Sequence, residues 1–107
     1  MLTGKQIIAA LSCGMLLLVA ANAQAKGSVQ RGADLTFDCI ECHGMDGKGN
    51  FETPQIAGLK ESYLLSQLRA FYSGKKKSTD NIMHIYTEDR TDQDLQDLAA
   101  YWASRPK

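Results

Sequence analysis

Apolar positions in this chain recur at helical spacing, and strand signals are weak throughout. Ala33, Phe37 and Ile40 repeat in this way through Val29 to Cys39, predicting a first helix that runs into Cys39. From Glu61 to Ser73, Leu64, Leu68 and Phe71 share one face with Leu65 and Tyr72 beside it. Gly74 then stands where a helix C-terminal cap is expected. The last helix starts at Thr91, whose hydroxyl suits an N-cap, with Asp92 and Asp94 placed to favour its positive end. Its stripe is Leu95, Leu98, Ala99 and Trp102, and Pro106 lies beyond its end. Between these helices, Gly44, Gly47 and Gly49 predict a tight loop over Gly44 to Asn50, and the stretch around Asn81 to Ile85 reads as irregular. The expected fold class is all-α.

The N-terminus follows a different pattern. Lys5 precedes an apolar run from Ile7 to Ala21, which ends in the small-x-small sequence Ala21-Asn22-Ala23. The run falls short of the roughly 20 residues that span a bilayer comfortably. It reads as a cleaved secretory signal over residues 1–23, cut after Ala23 or Ala25, leaving a domain over 24–107 with no membrane span and a periplasmic address. Ala10-Leu11-Ser12-Cys13-Gly14 loosely resembles a lipoprotein cleavage box, but cutting there would leave Met15 to Val19 exposed.

The remaining domain is single, without repeats, and its apolar residues are too few for a generous core. Opposite charges balance over the whole chain, and losing Lys5 turns the domain slightly acidic. Nothing in this balance points to nucleic acid.

One motif specifies a chemistry. Cys39-Ile40-Glu41-Cys42-His43 is a CxxCH sequence, the signature of c-type haem attachment. Each cysteine can bond a haem vinyl group, and the adjacent histidine is held over the iron as an axial ligand. A dithiol redox pair would sit beside a βαβ pattern that is missing here. A zinc site needs about four ligands, and the chain adds only His84 and Cys13. Export agrees with haem attachment, since an exported thiol pair otherwise oxidises.

The other face of the iron calls for a second ligand, usually Met or His. Met45 follows His43 too closely to pass around the macrocycle, whereas Met83 is far enough along the chain to reach the opposite side. His84, its neighbour, is the rival ligand. Thioether ligation stabilises ferrous iron, so Met83 predicts a higher potential than His84. Either choice closes both axial positions, and no paired acid and base, nucleophile triad or phosphate loop suggests an enzyme activity.

The order of CxxCH with its preceding helix, the glycine loop, Pro54-Gln55-Ile56-Ala57-Gly58-Leu59, Tyr63 to Leu68, Gly74-Lys75, Met83 and Leu98-Ala99-Ala100-Tyr101-Trp102 resembles class I bacterial cytochromes c. The likeness spans essentially the whole domain and is nearest to the cytochrome c4 and cytochrome c-553 branch. It implies helices wrapped around one covalently bound haem c, with Cys39 and Cys42 as thioether donors, His43 as proximal ligand and Met83 as distal ligand. It also implies that the Pro54 carbonyl accepts a hydrogen bond from the proximal imidazole, and that the first and last helices cross closely at Gly32 and Tyr101. Cytochrome c4 proper has two such domains where this chain has one. His84 beside Met83 and the run Glu88-Asp89-Arg90 also depart from the pattern.

These readings predict a one-electron carrier serving redox protein partners. An alternative is the haem subunit of a larger oxidoreductase, similar to the cytochrome subunit of flavocytochrome c sulfide dehydrogenase, with a flavoprotein as partner. A third is a haem-based redox or gas sensor, which requires a displaceable distal ligand. Lys75-Lys76-Lys77 reads either as a docking patch for an acidic partner or as a solvated helix end.

Overall fold

The computed structural model describes residues 27–107, so the expected signal segment, its cleavage point and Cys13 lie outside the described residues. Within them the fold is helical, with no strand and no helix long and apolar enough to cross a membrane. The helices are α1 (Val29–Asp34), α2 (Phe37–His43), α3 (Glu61–Tyr72), α4 (Ile82–Thr87) and α5 (Asp92–Ser104), and a 3-10 turn, Thr79–Asn81, leads into α4.

The predicted first helix is two helices. Leu35 N–H bonds back to Gly32 O, and the Thr36 hydroxyl bonds to Ala33 O at 3.0 Å. These bonds occupy the carbonyls that a continuing helix would use, so the ladder stops and restarts at Phe37. The break also changes the buried face. Ala33 is exposed and Phe37 is 71% exposed, while the buried residue of α1 is Gly32.

Gly32 is where α1 meets α5. A β-carbon there would run into the carbonyl of Asp97 and lie 2.7 Å from Tyr101 Cβ, so only glycine permits the crossing. Asp97 itself is fully buried. Its carboxylate accepts from Ser28 N–H at 2.7 Å, from Gln93 Nε2 at 3.0 Å and from the Arg31 guanidinium. A buried carboxylate is tolerated only when its lone pairs are met in this way, and here the bonds join the start of α1 to the middle of α5.

Helix α5 begins with a capping box: the Thr91 hydroxyl accepts from Asp94 N–H, and the Asp94 carboxylate accepts from Thr91 N–H. Its expected stripe is buried, with Leu95, Leu98, Ala99 and Trp102 all at 3% exposure or less. Helix α3 packs against α5 through Leu64, with Leu65 and Leu68 partly buried beside it. Tyr72, expected beside this face, stays 45% exposed. Arg69 on α3 makes two 2.8 Å bonds to Asp92 at the start of α5, and these hold the Asp92 carboxyl down at about 2. The continuous buried cluster is small: Ala57, Leu64, Ala99 and Trp102.

Gly32→Ala is expected to cost about 1–3 kcal/mol of stability by forcing α1 off α5. Asp97→Ala should cost about 2 kcal/mol through loss of charge-assisted bonds. Denaturant midpoints at an unchanged slope measure both. Because the Asp92 carboxyl is depressed from 3.8 to about 2, its contribution is complete above pH 4 and is lost as pH falls through 2. The stability gap between wild type and Asp92→Asn, small because the pair is half exposed, should therefore be present at pH 6, shrink below pH 4 and close only below pH 2 in acid unfolding curves.

Candidate cofactor site

Helix α2 carries Cys39, Cys42 and His43 on little more than one turn. Positions three apart share a helix face, so the two thiols stand side by side, Cys39 largely covered and Cys42 exposed. Burial pushes the Cys39 thiol above its ordinary value, opposed in part by the Trp102 indole and then by Arg90. Gly44, at φ 87°, ends the helix immediately after His43.

The loop that follows is folded back on His43. Gly49 N–H bonds to His43 O at 2.8 Å, and Asn50 Oδ1 accepts from the N–H groups of Glu52 and Thr53 at 2.8 and 2.9 Å, turning the chain. Gly47 sits at φ 71°, and a β-carbon there would collide with the Trp102 ring. Its carbonyl accepts from Ile56 and Ala57 N–H. The turn delivers the Pro54 carbonyl to the buried His43 ring, where Nδ1 lies 2.7 Å from Pro54 O. A carbonyl can only accept, so Nδ1 carries the proton. Nε2 is then left with its lone pair, and it makes no hydrogen bond among the described residues.

His43 forms part of the wall of a partly open cavity of about 310 Å³ lined by the helices and the loops between them. Cys39, Cys42, Pro54 and Met83 line the same cavity, which brings the expected site residues together although Met83 is 40 positions beyond His43. Apolar side chains from α3 and α5, including Leu64, Leu68, Phe71, Leu98 and Ala99, make up much of the remaining wall. Met83 lies in α4, in a helix where the pattern suggested an irregular stretch. Ser78 Oγ accepts its N–H, and the Thr87 hydroxyl bonds to its carbonyl at 2.8 Å. A helix of six residues is too short to leave a readable period.

His84 is not among the lining residues. Its Nδ1 donates to Phe71 O at 2.8 Å, and its Nε2 lies 3.3 Å from a Glu88 carboxylate oxygen. Met45, the other methionine of the domain, is 81% exposed and outside the cavity wall. Lys75, Lys76 and Lys77 are exposed; Lys76 also lines the cavity, lies over the Phe71 ring at 5.2 Å and bonds to Gln67.

Two lining residues carry no signal of their own in the sequence. Arg90 spans from the cavity to the start of α2, reaching Leu35 O before the helix and Asp38 Oδ2 in its first turn at 3.3 Å each. Trp102, legible only as part of a helix stripe, borders the cavity with its indole Nε1 buried and without a hydrogen-bond partner. Its N–H acts on the Cys39 thiol, a weak acceptor, without completing a full hydrogen bond.

The donor set and the wall fit a large, flat, mostly apolar group. Adjacent thiols allow covalent attachment, a lone pair on buried imidazole can ligate a metal, and a thioether lines the same chamber.

The family model for cytochrome c matches residues 29–105, nearly the whole described chain. Cytochrome c-554(548) from Halomonas halodenitrificans is 32% identical over 81 residues, covering 74% of this chain and 98% of that protein. The cytochrome subunit of sulfide dehydrogenase from Chlorobaculum tepidum is 30% identical over 77 residues, 72% of this chain and 68% of that one. The solved cytochrome c4 from Acidithiobacillus ferrooxidans superposes with a TM-score of 0.67 at 28% identity, over 77% of this chain and 52% of its own. The chain spans 41–47% of the length of several other cytochromes c4. The helices wrapped around one chamber, the CxxCH turn on its wall and these likenesses together place the chain in the cytochrome c family, near the c4 branch, as an electron-transfer protein that carries covalent haem c.

Proposed function

We propose that the protein is a periplasmic one-electron carrier in which Cys39 and Cys42 form the two thioether bonds, His43 is the proximal iron ligand and Met83 the distal one. The haem supplies an iron that moves between ferric and ferrous states. The observation that carries the reading is that His43 and Met83 line one cavity from separate elements, α2 and α4, while His84 lies outside the cavity wall with its Nδ1 donating to Phe71 O.

The residues divide the work. Pro54 O accepts the Nδ1 proton of His43 in a hydrogen bond, which fixes the ring and leaves Nε2 as the ligating atom. Met83 brings a neutral thioether, which favours the ferrous state and raises the potential relative to a second imidazole. The apolar wall excludes water and lowers the local dielectric, which tunes the potential further. With both axial positions met by the chain no site remains for a substrate, so a gas-sensing role is disfavoured.

The export signal over 1–23, cleaved after Ala23 or Ala25, belongs to the same reading, since thiols presented for haem attachment suit an exported chain. A second reading, as the haem subunit of a larger oxidoreductase with a flavoprotein partner, is favoured by the likeness to the cytochrome subunit of sulfide dehydrogenase.

The ferric protein is expected to show the weak band at the red end of the visible spectrum that marks thioether ligation. Met83→Ala should abolish that band and lower the midpoint potential in a redox titration; loss of the band in His84→Ala with Met83 intact would reverse the assignment. A free carrier should run as a single small species on gel filtration of periplasmic extract, whereas co-elution with a flavoprotein would favour the subunit reading. Replacing Lys75, Lys76 and Lys77 with glutamate should slow reduction by an acidic partner at low salt and have less effect at high salt; equal rates would leave these lysines only a helix-end role.

A further inference from the structure

The element that carries Met83 is held less firmly than the rest of the fold. It is entered through two consecutive non-glycine residues with left-handed backbone, Asp80 at φ 55° and Asn81 at φ 57°. Asp and Asn tolerate that region better than other side chains, but it remains sparsely populated. Asn81 Oδ1 is buried without a hydrogen-bond partner. Helix α4 has six residues, of which Thr87 alone is buried. Short elements with few buried contacts open locally at low free energy.

Most of the hydrogen bonds of α4 are local. Ser78 Oγ accepts from Met83 N–H, and the Thr87 hydroxyl bonds to Met83 O and His84 O within the same helix. Among the described residues, one hydrogen bond joins α4 to α3: His84 Nδ1–H to Phe71 O, at 2.8 Å. Phe71 O, in the last turn of α3, accepts from Gly74 N–H at 3.1 Å and offers its second lone pair to the imidazole. On the other side of the ring Nε2 faces Glu88, one turn further along, so the imidazole is aimed at the carbonyl.

We infer that His84 is a positioning residue that latches α4 onto the end of α3, and so holds Met83 in the wall and keeps small external ligands from the distal side of the cavity. The inference rests on the reading of Met83 as distal ligand. An external ligand binds only when α4 has opened, so its apparent affinity is its intrinsic affinity scaled by the open fraction. Removing the bond to Phe71 O raises that fraction. Asparagine carries an amide N–H near the position of Nδ1 and can remake the bond, whereas alanine cannot.

The test is a titration of the ferric holoprotein with imidazole, followed by loss of the red band that marks Met83. His84→Ala should show the band before titration and bind imidazole about tenfold more tightly than wild type, as expected for losing one hydrogen bond. His84→Asn should return to within about threefold of wild type. Amide exchange of residues 83–87 should accelerate in His84→Ala and recover in His84→Asn, a readout available for any variant that folds. Wild-type imidazole affinity and exchange in His84→Ala would overturn the latch and leave Met83 as ligand. A band that survives in Met83→Ala would overturn the ligand reading itself. If His84→Ala is too poorly folded to titrate, His84→Leu, which fills similar space without a donor, decides: imidazole binding about tenfold tighter than wild type supports the latch, and wild-type affinity overturns it.

Discussion

The fold is organised around a chamber, not around a solid core. Its continuous buried cluster consists of Ala57, Leu64, Ala99 and Trp102, and each of these except Ala57 also lines the cavity. Apolar walls of this kind are stabilised by what they enclose, at about 25 cal/mol for each Å² removed from water. A domain of this size buries a modest fraction of its own surface, so the covalent haem of the family acts as a structural element as well as a redox centre. The helices must then be fixed by contacts away from the chamber, and the crossing of α1 on α5 does this. Gly32 permits close approach, and the buried carboxylate of Asp97 joins the two elements by hydrogen bonds that neither helix makes internally.

The two sides of the chamber are built differently. On the His43 side the chain is over-determined. Gly49 bonds the His43 carbonyl, Asn50 turns the loop, Gly47 packs under Trp102 and takes two further bonds, and Pro54 reaches the imidazole. On the Met83 side a single short helix follows two left-handed residues, packs on α3 and, among the described residues, shares one hydrogen bond with it, from His84. The proposed attachment through α2 would need fixed geometry, because two sulfurs and an imidazole would have to meet one group. A thioether needs only to be delivered within reach.

Much of this was legible in the sequence for physical reasons that can be named. CxxCH places three donors on one helical turn whatever surrounds them. The stripes of α3 and α5 are long enough to show a 3.6-residue period, and Thr91 and Gly74 are residues whose chemistry marks helix ends. The failures have equally specific causes. Ala33 and Phe37 fell on a helical repeat, but the hydroxyl of Thr36 ended the first helix and rotated them outward. Asp97 sits inside an apolar stripe, and its partners Ser28 and Arg31 lie more than 60 residues away, where no local pattern connects them. Arg90 reads as part of a charged run, although it reaches across to Leu35 and Asp38 at the chamber edge. His84 gave a choice of ligand only; that it faces Phe71 and not the cavity depends on how α4 docks.

Access follows from the same layout. Cys42 is exposed while His43 and the apolar wall behind it are buried, so a group bonded to both cysteines is nearest solvent at the rim formed by α2. A reactant that had to reach the metal would need one of the axial sides opened. A partner exchanging an electron needs only to approach the rim, and no element of the chain has to move. Rigidity on the His43 side therefore suits the transfer itself, since reorganisation of the surroundings adds to its barrier. The weaker hold on the Met83 side is compatible with that function for as long as the thioether remains in place. If Met83 ligates and His84 latches as proposed, the two act on adjacent residues of one short helix, and each would lower the cost of keeping the other formed.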